Sequence, residues 1–166
     1  GDMRAILHAD KTWGIGKANA LMFSLPADMK FFRETTKGKI VVMGLNTLRS
    51  FPGGKPLKNR TNIVLCPEDV TEDVITVHSL DELLDKVKNY PADDVYVIGD
   101  ASVYALLFPY YTEILVTKVE EEGGADTFVP NLDADARYVL ISQSEPIVDN
   151  GHTIRFCTYK NLSPAQ

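Results

Sequence analysis

The sequence predicts an α/β fold, a three-layer sandwich on a mostly parallel sheet, with antiparallel strands added at one edge. Three observations carry this. The runs Lys39 to Met43 and Val95 to Ile98 are of strand length and apolar almost throughout, as strands covered on both faces are. Each ends at a glycine, Gly44 or Gly99, and leads into a helical segment. Two late runs, about Arg137 to Ser142 and Thr153 to Tyr159, flank the turn Asp149-Asn150-Gly151 with no helix between, so they pair antiparallel.

At 166 residues the chain reads as a single domain, 1–166, large enough to bury a core without staples. Gly1-Asp2 ahead of Met3 reads as an added remnant. An apolar share of 45% with 24% charged residues is ordinary for a globular protein. The net charge of −6, without clustered Lys or Arg, argues against a nucleic-acid partner. No apolar run reaches the length of a membrane span, and no signal-peptide pattern opens the chain. Cys66 and Cys157 stand far apart with no partner motif, which points to reduced thiols and a cytoplasmic protein. Three scattered His residues give no metal-ligand spacing, so no metal is expected.

In chain order, Met3 to Ala9 reads as a buried strand, followed by a Gly-bearing loop from Asp10 to Phe23. Pro26 suits the first turn of a helix, Ser24 before it is placed to cap, and Asp28 lies where the helix dipole favours a carboxylate. That helix fades by Thr35 to Gly38. After the strand ending at Met43, Asn46 or Thr47 is placed to cap a short helix that stops near Phe51-Pro52-Gly53-Gly54. Thr61 to Leu65 and Val74 to Val77 read as strands. Ser79 with Glu82 forms a capping box, and Leu80, Leu83, Leu84 and Val87 give the helix to Lys88 one apolar face. A helix through Leu107 follows Val95 to Ile98, then a strand from Glu113 to Val119 and an acidic loop from Glu120 to Asp126.

Asp28 is the first candidate for chemistry. Phe31 and Phe32 follow it at helical neighbour spacing, and a carboxylate grouped with two rings suits a cleft for a flat, hydrogen-bonding ring. The competing reading is that Asp28 merely supports the helix start. Val42-Met43-Gly44-Leu45-Asn46-Thr47 and Val97-Ile98-Gly99-Asp100-Ala101-Ser102 share a second design. In each, a strand turns at glycine into a helix N-terminus, which can receive phosphate. Taken singly each is a weak signal, because every α/β protein has several such turns. Gly14-Ile15-Gly16 lacks the third glycine and the helix of a Rossmann fingerprint, and reads instead as a lid loop with the apolar tip Leu21-Met22-Phe23. Arg60, just before a strand, is a candidate fork for a ligand carboxylate or else a plain surface Arg. On their own, Tyr104 fits a core aromatic and Thr117 an ordinary strand residue.

The motifs occur together in the order of one known family. Gly14-Ile15-Gly16-Lys17, Leu25-Pro26-Ala27-Asp28-Met29 with Phe32, and Val42-Met43-Gly44 with Thr47 come first. Pro56-Leu57 with Arg60 and Asn62-Ile63-Val64, Val97-Ile98-Gly99 with Val103-Tyr104, and Asp126-Thr127 with Pro130 follow. Over nearly its whole length the chain resembles dihydrofolate reductase. The resemblance implies a central mixed sheet of eight strands whose last strand is antiparallel, with four flanking helices. It implies reduction of 7,8-dihydrofolate to tetrahydrofolate for one-carbon metabolism, by hydride passing from C4 of NADPH to C6 of the pterin. It also implies antifolate inhibitors as ligands and a monomer in the cytoplasm.

The roles implied by the resemblance fall on matching positions. Asp28 bonds the pterin edge and shares a network with Thr117, while Leu21, Phe23 and Tyr104 complete the catalytic set. Ile6, Leu7, Met29, Phe32, Phe51, Leu57 and Ile98 line the substrate pocket, and Arg60 holds the α-carboxylate of the glutamate tail. The cofactor is expected against Leu7, Ile15, Gly16, Asn19 and Leu21, then Gly44, Leu45, Asn46 and Thr47 at the first turn. Leu65, Cys66 and His78 lie further along it, and Ile98, Gly99, Asp100, Ala101, Ser102, Val103 and Tyr104 form the second turn.

Several positions depart from the family pattern. Phe23 stands where tryptophan is usual, Met22 where proline is usual, and His8 where a small residue is common. Asp100 replaces the second glycine of a Gly-Gly turn that the family builds around a cis peptide. Leu45 and Cys66-Pro67 replace the cationic or hydroxyl residues of the 2′-phosphate region, leaving Arg49, His78 and Lys55 as cations. NADH is therefore expected to be tolerated beside NADPH. Two alternatives remain, a pyrimidine reductase of riboflavin biosynthesis and a non-catalytic folate- or nucleotide-binding homologue. The first shares the sheet and glycine turns but not the Leu-Pro-x-Asp helix with Arg60.

Overall fold

A computed structural model describes residues 3–70 and 73–165; the remnant expected at Gly1-Asp2 lies outside them. The first half comprises β1 (Met3–Ala9), β2 (Gly14–Gly16), α1 (Pro26–Thr36), β3 (Ile40–Gly44), α2 (Leu45–Ser50), β4 (Thr61–Leu65), β5 (Ile75–Val77) and α3 (Leu80–Val87). Then come β6 (Val95–Val97), α4 (Ala101–Leu107), β7 (Tyr111–Val119), β8 (Thr127–Phe128), β9 (Tyr138–Gln143), β10 (Ile147–Asp149) and β11 (His152–Asn161).

One 9-stranded sheet has the order β10-β11-β7-β1-β6-β3-β4-β5, with β9 also on β11. It is eight places wide as expected, because β9 and β10 share the outer side of β11. The pairs from β7 through β5 are parallel, and β11 runs antiparallel to β7. Alternation along β3 explains the layers. Ile40 and Val42 join the core beneath α3 and α4, whereas Val41 and Met43 face the other way onto Leu48 of α2. All four strand residues are buried, as the continuous apolar run demands. Among the described residues no helix is long and apolar enough to cross a membrane.

Three local readings need correction. Ser24 does not cap α1: Leu25 is the N-cap residue and makes no side-chain capping bond, so Ser24 sits one position too early. The carboxylate of Asp149 takes that role from β10, accepting from Ala27 N at 3.0 Å and Asp28 N at 3.2 Å. Neither Asn46 nor Thr47 caps α2, because the helix opens directly after β3 at Leu45 with Gly44 as N-cap and both residues lie inside it. The loop from Asp10 to Phe23 contains the short strand β2, which pairs antiparallel with β8. The capping box of α3 is present in modified form. Ser79 Oγ accepts from Glu82 N at 3.1 Å, while the Glu82 carboxylate takes His78 N at 2.7 Å rather than Ser79 N.

Candidate active site

After β1 the chain adds β3, β4 and β5 to one side and later β7 to the other, a switch in strand order that places a crevice at the carboxyl ends of the parallel strands. The residues singled out in the sequence gather there. Asp28, in the first turn of α1, receives a hydrogen bond on Oδ1 from Thr117 Oγ1 of β7 at 2.6 Å. His8 of β1 brings Nδ1 to 3.6 Å from Oδ2 of the same carboxylate. Thr117 is 2% exposed and His8 7%, so the carboxylate faces a nearly dry wall. Asp149, holding the end of α1, fixes the backbone that carries Asp28.

Tyr104 leaves α4 and donates from its phenol to Ile6 O at 2.7 Å, tying the helix to β1. Burial first, then the carboxylates of Asp28 and Asp100, push the phenol up from its ordinary value, which keeps it a neutral donor. Phe32 lies under the Arg60 guanidinium, with the ring centroid 5.8 Å from its central carbon. Burial and the nearby Arg33 lower Arg60 from the usual guanidinium value, yet a guanidinium stays charged in water. Its Nε is buried without a partner, so the cation retains donors to spend. Asn62 shapes this loop, receiving Leu57 N on Oδ1 at 3.0 Å and donating Nδ2 to Leu57 O at 2.9 Å and Arg60 O at 3.2 Å. Leu45, Phe51, Leu57 and Ile98 pack around the α2-side core, whereas Leu7, Ile15, Leu65, Val103 and Tyr104 belong to the larger core.

The two glycine turns meet. Gly44 N donates to Gly99 O at 2.9 Å, and the Gly99-Asp100 peptide is cis. A Cβ on Gly44 would stand 2.9 Å from Val103 Cγ2, and one on Gly99, where φ is +131°, would stand 2.8 Å from Thr47 Oγ1. Both positions thus require glycine for close approach. No side chain caps α2, so its first N–H groups have no side-chain acceptor. The start of α4 differs. Asp100 accepts from Val103 N at 3.3 Å and from the Ser102 hydroxyl, so one anion already sits at this helix end. Just after β5, His78 Nδ1 lies 3.0 Å from Cys66 O and Nε2 3.0 Å from Asp69 Oδ1. The Cys66 carbonyl, outweighing desolvation, and the neighbouring Asp69 and Glu82 raise His78 from its ordinary value.

The loop residues stay outside this cluster. Leu21 is 68% exposed, Asn19 is exposed in a turn with φ of +62°, and Met29 on α1 is 55% exposed. Phe23 is half-buried between His8 and His152, with ring centroids 6.0 and 5.1 Å away. The loop is held to the segment before β8. Asp10 accepts from Thr12, Gly14 and Gly123 at 2.8 to 2.9 Å, and Asp126 accepts from Ala18 N at 2.9 Å. Sequence reasoning missed Asp149, Asp10 and the contact of His8 with Asp28. The Asp149-Asn150-Gly151 turn was visible, but nothing in it points to a helix 121 residues away. Among the described residues no group of three or more His, Cys, Asp or Glu could hold a metal.

Comparison with known proteins places this arrangement. The family model described as dihydrofolate reductase matches residues 2–161. The dihydrofolate reductase of Bacillus subtilis is 34% identical over 157 residues, covering 91% of this chain and 90% of its own length. That of Enterococcus faecium is 36% identical over 159 residues, with 93% of each covered. A solved dihydrofolate reductase from Enterococcus faecalis, complexed with NADP(H) and RAB-propyl, superposes with a TM-score of 0.83 at 32% identity. That likeness covers 96% of this chain and 95% of the solved one. The match takes in the helix of Asp28 and the strand of Thr117 as well as both glycine turns, and on that extent this chain belongs to the dihydrofolate reductase family.

Proposed function

We propose that this chain reduces 7,8-dihydrofolate to 5,6,7,8-tetrahydrofolate with NADPH, and that Asp28 is the residue that orients the pterin. The observation that carries the reading is the Asp28 carboxylate, held at 2.6 Å by Thr117 at the same strand ends as the Gly44–Gly99 turns. A carboxylate accepts two hydrogen bonds side by side, which suits the N3–H and 2-amino group of the pterin. Thr117 fixes which way that pair of oxygens faces. Ile6, Phe32, Phe51, Leu57 and Ile98 supply apolar walls, while Leu7, expected there too, turns its side chain to the other face of β1 against Tyr111 and Ile114; Arg60 takes the glutamate α-carboxylate with its free donors.

The Gly44 and Gly99 turns approach each other too closely to admit a Cβ, and they would hold the pyrophosphate together with Thr47 and the amides of Ala101 and Ser102. When bound, the reduced nicotinamide supplies hydride for C6 of the pterin. This chain's part is alignment in a dry crevice, worth several orders of magnitude in rate, while water protonates N5. Leu21, Met22 and Phe23 form the apolar tip of a lid over that crevice. The net charge of −6 argues against a nucleic-acid partner, and the free Cys66 and Cys157 suit a reducing compartment such as the cytoplasm.

The test is loss of the near-ultraviolet absorbance of NADPH on adding dihydrofolate. Substrate-dependent loss is the expected result. No turnover, with a 2,4-diaminopteridine antifolate still raising the melting temperature, would make the chain a binding homologue and overturn the proposal.

A further inference from the structure

We propose that His8 is a positioning residue for Asp28, steadying its second oxygen from the strand beside Thr117. The proposal rests on the reductase reading above. β1 and β7 are parallel with His8 opposite Thr117, so both side chains leave the sheet on one face. Thr117 occupies Oδ1 of Asp28, and His8 Nδ1 faces Oδ2 at 3.6 Å. His8 is 7% exposed, and its Nε2 is buried with no partner. Phe23 closes one side of the ring. An imidazole in that setting is placed by the carboxylate it faces.

The acceptor count agrees. An ionised carboxylate has about four lone-pair sites. A ligand edge with two donors takes one site on each oxygen, and Thr117 takes a third. The remaining site, on Oδ2, faces His8 Nδ1. At 3.6 Å the imidazole and the carboxylate are in ion-pair range, beyond direct hydrogen-bond length. His8 thus acts on hydride transfer through the orientation of the Asp28 carboxylate. The other ionisable groups nearby are Asp149 of β10, whose carboxylate accepts from the Asp28 amide at 3.2 Å, Tyr104 of α4, directed at Ile6 O, and His152 of β11 with Glu121, on the far side of Phe23.

Two measurements on the full chain test this. In the first, His8 is titrated by NMR on histidine-labelled protein, its resonance assigned by loss in His8→Asn. Asp28→Asn is expected to move the His8 midpoint to lower pH, since it removes the facing negative charge, whereas His152→Gln leaves it in place. An unchanged midpoint in Asp28→Asn overturns the proposal. In the second, single-turnover hydride transfer is followed against pH. His8→Ala is expected to lose about tenfold, the worth of one charge-assisted hydrogen bond, and to change the shape of the profile. His8→Asn keeps a donor at the Nδ1 position and is expected to recover most of the neutral-pH rate without the wild-type profile. A wild-type rate and profile in His8→Ala overturns the proposal. Absence of turnover in the unaltered chain overturns the reductase reading instead, and the NMR titration then decides the His8–Asp28 pair alone.

Discussion

The hydroxyl of Thr117 donates to Oδ1 of Asp28 across 2.6 Å, joining residues 89 positions apart in the chain. Helix α1 and strand β7 thereby define one functional group. Asp28→Asn keeps the volume and the helix start but turns one acceptor into a donor aimed at donors. It is expected to fold normally and to lower turnover about 100-fold at neutral pH. Thr117→Val frees the carboxylate to rotate and should lower kcat about tenfold, the worth of one hydrogen bond to a charged group. Steady-state kinetics with circular dichroism as a folding check decide both, and near-normal turnover in Asp28→Asn would refute the assigned role.

Asp149 ties a turn of β10 to the start of α1, where the Ala27 and Asp28 amides have no other cap. Losing a capping carboxylate costs about 1–2 kcal/mol. Asp149→Ala is expected to lower Tm by about 3–6 °C, given the usual entropy of unfolding for a chain of this size. Because the lost bonds hold the turn bearing Asp28, kcat should fall too. A drop in Tm with untouched kcat would confine Asp149 to stability.

Cofactor preference turns on charge around the adenosine. Leu45 packs into the α2-side core instead of offering a cation, and the His78 ring faces Asp69 and Cys66 O. One missing charge-assisted phosphate contact is worth about 1.5–3 kcal/mol, or one to two decades in affinity. Weak discrimination between NADPH and NADH is expected. Leu45→Arg should raise kcat/KM with NADPH about tenfold and leave NADH unchanged. Strong preference for NADPH in the unaltered chain would contradict this.

Asp10 anchors the lid loop to the β8 side. Burial raises its carboxyl, but the Gly123 and Gly14 amides and the Thr12 hydroxyl and amide outweigh that, so it ends below the ordinary value of 3.8. A depressed folded-state value means the stabilisation is complete above 3.8 and disappears as pH falls through the lower folded value. Asp10→Asn should therefore be less stable than the unaltered chain at neutral pH, by about 1.5–3 kcal/mol, with the gap closing in acid. Urea unfolding at neutral and acidic pH measures it. A gap that is constant with pH would mean that the charge of Asp10 is not what holds the loop.

Much of this was legible in the sequence because it depends on local pattern. Apolar runs such as Ile40 to Met43 suit strands covered on both faces, and Ser79 with Glu82 marks a helix start within four residues. Asp28, Arg60 and the two glycine turns could be picked out for the same reason: each is a residue type whose chemistry requires a particular local backbone. Contacts across the sheet were beyond reach. Whether Thr117, His8 or Asp149 touches Asp28 depends on register and strand order, which no short stretch encodes. Ser24 failed as a cap because a one-residue shift in the helix start handed the exposed amides to Asp149. The sequence by itself determined the elements, the family and the acid at the helix start. Only the tertiary structure decided which oxygens of that acid are held, by whom, and from which strand, because those bonds exist only after distant segments pack against one another.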